Sequence, residues 1–217
     1  MATIQTGRVL HGGHPFFRAM APRIEAAMSS GTLPIVTRGM LGQHPIPARY
    51  EFYNTEDLHH ARKRTPAYLA LLDGAERVGD YSSMNQAAYP RTQFRPIALG
   101  TVVPPRSTPR DPEIPILFFG CVTPRRAAIV DQLPVTVVDR VYDEALRDLI
   151  TRSVLVLSIH AYDNRTNDSF RVFQALEMGG RVVAESSQEA WYDAAIQPHA
   201  TIVPYESLIP TCRRLLS

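Results

Sequence analysis

The stretch Ile114-Pro-Ile-Leu-Phe-Phe119-Gly120 decides how this chain is read: six almost wholly apolar residues stopped by a glycine. A second apolar run, Val135 to Val138, and a third, Val154 to Ile159, follow it. Each is too short for a stable lone helix and rich in the branched residues that suit a strand buried on both faces. Between them, Arg125 to Leu133 carries Ala128, Ile129, Gln132 and Leu133 at helical spacing, and Tyr142 to Ile150 carries Tyr142, Ala145, Leu146, Leu149 and Ile150. The segment Asp168-Ser-Phe-Arg-Val-Phe-Gln-Ala-Leu-Glu-Met-Gly179 then opens on an Asp or Asn cap, closes on Gly179-Gly180, and leads into a fourth apolar strand from Arg181 to Ala184. Strand and helix alternate four times, the pattern of an α/β protein with a parallel, doubly wound sheet.

Ligands of such a sheet bind beyond the carboxyl ends of its strands. Here those ends run from Gly120 to Arg126, Asp139 to Tyr142, His160 to Asp168 and Glu185 to Gln188, and they supply arginines, amides and hydroxyls rather than carboxylate pairs. Helix N-termini and arginine forks stabilise an anion without a metal, so a nucleotide diphosphate is the expected guest. Asp163, Asn164 and Asp168 are read as loop and cap residues, not as a metal set.

Toward the amino end, Thr3 to Leu10 reads as a first strand, followed by His11-Gly-Gly-His-Pro15 and a helix from Phe16 to Met28. Gly13 there allows a backbone amide to approach a phosphate or sugar, though a glycine pair also makes a tight turn. His14 is a candidate base or donor, with an ordinary loop histidine as the competing reading. Further strands are expected at Leu33 to Thr37, Arg49 to Tyr53, Arg77 to Ser82 and Phe94 to Leu99, with a helix from Thr65 to Gly74. The proline-rich run 104–113 is a stiff connection that separates a domain at 1–103 from one at 114–217. A last strand, Thr201 to Val203, and a helix, Ser207 to Leu216, complete the second.

The chain has 217 residues, 45% of them hydrophobic, ample for a core. No apolar stretch approaches the roughly 20 residues of a membrane span, and no signal-peptide core follows the N-terminus, so a cytoplasmic protein is expected. Cys121 and Cys212 lie far apart without metal-ligand spacing and read as small core residues. Residues 1–64 carry eight basic side chains against four acidic ones, a balance of +4, and the remainder of the chain balances at −2. Arg62-Lys63-Arg64, just ahead of a helix, concentrates that charge.

Two groups of motifs resemble a known family. Tyr53-Asn54-Thr55-Glu56, Thr65-Pro-Ala-Tyr-Leu-Ala-Leu-Leu72 and Asp80-Tyr-Ser-Ser-Met-Asn85 resemble the acceptor-side half of bacterial and phage glycosyltransferases of the two-Rossmann GT-B fold. Phe118-Phe-Gly120, Arg125-Arg126, Ser158-Ile-His160 and Ser169-Phe-Arg171-Val-Phe-Gln174-Ala-Leu-Glu-Met-Gly179 resemble their donor-binding half. Together they cover most of residues 50–190. The resemblance implies two Rossmann-like domains, the first truncated, with parallel sheets flanked by helices. It also implies that the helix beginning near Ser169 points its N-terminus at the diphosphate of a nucleotide sugar, a UDP-sugar first among them. Arg171 stands at the family's phosphate-holding arginine, and Gln174 stands where the family has a ribose-holding glutamate, so a hydrogen bond is kept and a charge is lost.

The expected function is therefore transfer of a hexosyl or pentosyl group from a nucleotide-diphosphate sugar to an acceptor hydroxyl, without a required metal. The acceptor could be a small molecule, a glycan, a protein or a hydroxymethylated base in phage DNA. The alternative is a noncatalytic protein of the same fold that binds a nucleotide or sugar. Gly13, Gly120, Arg125, Arg126, Tyr142, His160, Asn164, Ser169, Phe170, Arg171 and Gln174 are the donor candidates. Arg171 has the competing role of a helix-surface ion pair with Asp168 or Asp148, Phe170 that of a core residue, and Tyr142 and His160 that of simple packing. Glu56 and His14 are candidates for the general base that an inverting transfer needs, and Arg62, Lys63 and Arg64 for the acceptor side.

Overall fold

A computed structural model describes residues 4–42, 44–105 and 114–217. The chain forms two compact units, divided between Ala98 and Leu99. The division falls ahead of the expected boundary because residues after it are bound into the second unit: the Gly100 amide donates to Glu177 and the Val103 amide to the Leu176 carbonyl. Residues 106–113, most of the expected connection, lie outside the described residues. Each unit is a parallel-strand sheet flanked by helices, of the Rossmann-like class.

In the first unit the strands are β1 (Gln5–Thr6), β2 (Val9–Leu10), β3 (Ile35–Val36), β4 (Glu51–Asn54), β5 (Arg77–Asp80) and β6 (Thr92–Phe94), side by side in that order. The expected strand from Thr3 to Leu10 is instead a hairpin, because Gly7 takes φ 55° and folds β1 back antiparallel on β2. From β2 to β6 every pairing is parallel. The expected strand at Phe94 to Leu99 ends at Phe94: Arg95 makes the last backbone bond, to the Asp80 carbonyl, and Pro96 has no N–H to continue. Helix α2 (Pro66–Gly74) starts with Pro66 in its first turn and Thr65 as cap, and lays Tyr68 and Leu72 on Phe52, Val36 and Val78. The other face of the sheet meets α1 (Pro15–Ala27) and its end residue Met28, whose sulfur fills the space a side chain at Gly79 would need. A short α3 (Asn85–Ala88), not anticipated, leads to β6. The order of this sheet never reverses, so it has no switch point.

The second unit contains β7 (Ile114–Phe119), β8 (Val135–Val138), β9 (Ser153–Ser158), β10 (Val182–Glu185) and β11 (Ala200–Val203), all parallel, in the order β8-β7-β9-β10-β11. This is the doubly wound order with its reversal between β7 and β9. Helices α4 (Pro124–Val130) and α8 (Leu208–Leu216) cover Ile116, Phe118, Leu155, Leu157 and Val183. Ile150 of α5 (Asp143–Thr151) meets Val156 beside Gly180 on the opposite face. Helices α6 (Ser169–Glu177) and α7 (Ala190–Ile196) complete the unit, and α7 was not expected from the sequence. Strand β8 is not buried on both faces as expected; it is an edge strand, with Val137 42% exposed. Ala128 and Ala145, expected on buried helix faces, are exposed, since each helix is shorter and rests on Ile129 and Val130 or on Leu146 and Ile150.

Candidate functional site

The reversal in the second sheet opens between the carboxyl ends of β7 and β9, and Gly120, Arg126 and Arg171 come together there. Strand β7 runs into Gly120, whose φ of 119° excludes ordinary side chains and lets the Arg171 guanidinium lie against the backbone; a Cβ there would be 2.6 Å from Arg171 Nη2. Arg171 stands in the first turn of α6, stacks over Phe118 with its guanidinium carbon 5.1 Å from the ring centroid, and donates through Nη1 to Asp168. The Asp168 carboxylate also accepts from Ser158 Oγ at 3.0 Å and lies 3.7 Å from Arg126 Nη2. Burial would raise the Asp168 carboxyl, and the Arg171 and Arg126 charges outweigh it, holding the group below its usual range.

Of the two residue types expected to cap α6, Asp168 makes no side-chain cap bond. That role falls to Asn167, whose Oδ1 accepts the Ser169 amide and whose own amides are held by the buried Glu189. Ser169 Oγ is fully buried and has no hydrogen-bond partner among the described residues. Two arginines, one aspartate and a helix N-terminus leave a positive excess here.

Arg125 and Arg126 differ in what they do. Arg126 is buried; its Nε donates to the Ile159 carbonyl at 2.8 Å and its Nη1 to the Cys121 carbonyl at 2.9 Å. Burial and then Arg171 pull its pKa down to about 10, so it stays charged near neutrality. Arg125 grips the buried Glu185 through two bonds of 2.7 and 2.6 Å, reaches Asp163 at 2.9 Å, and stacks 4.0 Å over the Tyr205 ring. It is a bolt between the 160–168 loop and β10. His160 is bound into the same joint, its amide donating to Glu185 at 3.0 Å. Phe170 and Gln174 are buried on α6, Tyr142 precedes α5, and Asn164 braces Thr166 within the loop. Cys121, read from the sequence as core, is exposed at the end of β7, with its sulfur 3.6 Å from Arg126 Nη1; Cys212 is buried. Among the described residues no three His, Cys, Asp or Glu side chains form a metal set.

Burial lowers the His160 pKa against the raising pull of Asp168 and Glu185. An unfolded chain takes up this proton as pH falls below about 6.5, whereas the folded one resists it, so the stability present above that pH is lost on acidification toward the folded pKa. Thermal unfolding followed from pH 8 to 5 should show a falling midpoint, with a shallower slope in His160→Gln. Parallel slopes would exclude His160 as a source.

The first unit carries its own site at the carboxyl ends of β2 to β4, a hollow of about 480 Å³ lined by His14, Phe16, Phe17, Arg38, Thr55 and Glu56, with Gly39 and Leu41. Both base candidates thus face one space. Glu56 is held at each oxygen, by Arg38 and by Lys63 Nζ at 2.7 Å, and its side chain is 13% exposed. Its loop is fixed from beneath: Asn54 and Asn85 both donate to the Glu56 carbonyl at 2.9 Å and to Asp80, and Tyr68 Oη donates to Asn54 at 2.6 Å. The resemblance motifs around Tyr53 and Asp80 are the two halves of this buried network. Burial, then Arg38, lowers the His14 pKa and favours its neutral form. The Gly13 amide donates to His11 Nδ1 at 3.1 Å, which closes the turn. The Arg62-Lys63-Arg64 run is not three free charges, since Lys63 is tied to Glu56; Arg62 and Arg64 are exposed.

No family model matches the chain, and no curated protein matches its sequence. Further hollows lie among the described residues of the second unit. One of about 270 Å³, lined by Val103, Arg147, Ser153 and Arg181 among others, is at the amino ends of the strands, the end where open sheets do not bind ligands. One of about 500 Å³, with Ser187, Gln188 and Asp193, lies past β10 and adjoins the 160–168 loop through the Ser187 hydroxyl and the Arg165 carbonyl. No helix among the described residues is long and apolar enough to cross a membrane.

Proposed function

We propose that this protein is a glycosyltransferase whose second unit holds the diphosphate of a nucleotide-sugar donor. The supporting observation is the position of Arg171, in the first turn of α6 and against Gly120 at the point where the strand order reverses. Anions are stabilised at such a helix end by amide dipoles and a guanidinium fork, and the buried Ser169 hydroxyl offers one more donor. In the transfer, the acceptor oxygen bonds the anomeric carbon and the carbon–phosphate oxygen bond breaks with its electron pair on the diphosphate. The acceptor proton passes to a base. His14, favoured in its neutral form, is the candidate, with Glu56 as the oriented carboxylate beside the same hollow.

Cys121 supplies a test, because it is the exposed thiol of the pair. UDP should slow its alkylation by iodoacetamide, and Arg171→Ala should weaken that protection by about 1.5–3 kcal/mol, the scale of a lost charge-assisted hydrogen bond, in a chain that remains folded. Equal alkylation rates with and without UDP, or unchanged protection in the variant, would remove the diphosphate site.

Binding without turnover is the second reading, favoured by Glu56 being engaged at both oxygens and by the neutral Gln174. UDP-glucose that protects Cys121 and is neither hydrolysed nor transferred would select it.

A further inference from the structure

The hollow of the first unit has two chemically different sides. His14, Phe16 and Phe17 bring three rings to one wall, with Phe16 and Phe17 edge to face at 5.0 Å and His14 edge-on to Phe17 at 5.3 Å, and Leu41 adds apolar surface. Such rings favour a flat aromatic guest, offset or edge-on. The other side is Arg38, Thr55 and Glu56. Arg38 gives Nη1 to Glu56 while its side chain stays 42% exposed, so most of its five N–H donors remain available beside the hollow. Arg38 and Lys63 together outweigh Glu56 by one positive charge. A single carboxylate neutralises that excess and matches the guanidinium fork. A volume of about 480 Å³ is in the range of small-molecule sites and takes one ring with its substituents.

We propose that this hollow takes a small aromatic hydroxy acid, its carboxylate on Arg38, its ring against Phe16 and Phe17, and its hydroxyl facing His14. As an assignment of the acceptor it rests on the transferase reading above; as a binding site it does not. Duplex DNA is the rival acceptor, and it is disfavoured because Lys63 is committed to Glu56 and the run of three charges is reduced to Arg62 and Arg64.

The probe is 4-hydroxybenzoate, titrated calorimetrically into the full chain. Saturable one-to-one binding is expected, about 10-fold or more weaker for phenol, which lacks the carboxylate, and weaker by a similar factor in Arg38→Gln. Phe16→Ala, tested alongside, should lose affinity for both compounds, and circular dichroism establishes that each variant is folded. If Arg38→Gln does not fold, the phenol comparison and Phe16→Ala still decide. Absence of saturable binding up to about 1 mM, equal affinity for phenol, or indifference to both substitutions overturns the proposal. So does salt-sensitive binding of a hydroxymethylcytosine duplex by a chain that ignores the hydroxy acid. The Cys121 protection assay separates the failures. Protection by UDP without 4-hydroxybenzoate binding rejects the acceptor assignment alone. Binding of 4-hydroxybenzoate without UDP protection rejects the donor site and leaves the hollow as a hydroxy-acid site.

Discussion

Asp80→Ala should cost the first unit about 3–6 kcal/mol, enough to unfold a domain whose whole stability is of order 5–15 kcal/mol. Asp80 is fully buried, and its two oxygens accept from the Asn54 and Asn85 amides and from the Ser82 backbone, at 2.7, 2.9 and 2.9 Å. Alanine leaves those donors in a space that water does not reach, and each stranded buried donor costs about 1–3 kcal/mol. The loss extends to the first-unit hollow, because the same asparagines hold the Glu56 carbonyl. Urea denaturation of the parent and the variant, followed by far-ultraviolet circular dichroism, measures the difference. A change below about 0.5 kcal/mol, the scale of an ordinary surface substitution, would mean that the network is dispensable.

Glu185→Ala should have the comparable effect in the second unit, about 3–5 kcal/mol, the cost of breaking a buried ion pair from one side. The Glu185 side chain is fully buried, and Arg125, 16% exposed, would keep, among the described residues, only the exposed Asp163 as an acidic partner. The His160 amide would also lose its acceptor. Trp191, the single tryptophan, donates to Glu189, the residue that fixes Asn167 at the start of α6, so its emission reports on the loop that Glu185 secures. An earlier urea transition in tryptophan emission is expected. Unaltered unfolding would show that Arg125 and His160 hold the loop without Glu185. The paired variant Arg125→Met/Glu185→Leu should recover much of the loss, because removing both charges strands neither.

Much of the second unit is legible in the sequence, because its signals are local. The runs at Ile114, Val154 and Val182 are short, apolar and branched, and alternate with helical spacing; burial on two sheet faces and one helix stripe requires that pattern. Proline also acts locally, so Pro66 marks a helix start before any fold is known. Local signals mislead where a neighbour decides. Val135 to Val138 has the composition of a buried strand and lies at an edge, because strand order is settled by which strands pair and not by the residues of one strand. Thr3 to Leu10 has the length of one strand, but Gly7 turns the chain back on itself.

The candidate sites divide in the same way. The sequence by itself determined an alternating α/β chain, a helix beginning near Ser169 with Arg171 in its first turn, and basic loops at the strand ends, since these depend on residues close along the chain. Only the tertiary structure decided which charges are engaged. Arg125 is bound to Glu185, 60 residues away, Lys63 and Arg38 are bound to Glu56, and Asp80 joins Asn54 to Asn85. Tertiary packing likewise exposed Cys121 and made Arg38 part of the hollow that holds His14 and Glu56. The physical reason is that an ion pair or buried hydrogen bond depends on separation in space, which packing sets, and no spacing along the chain encodes it.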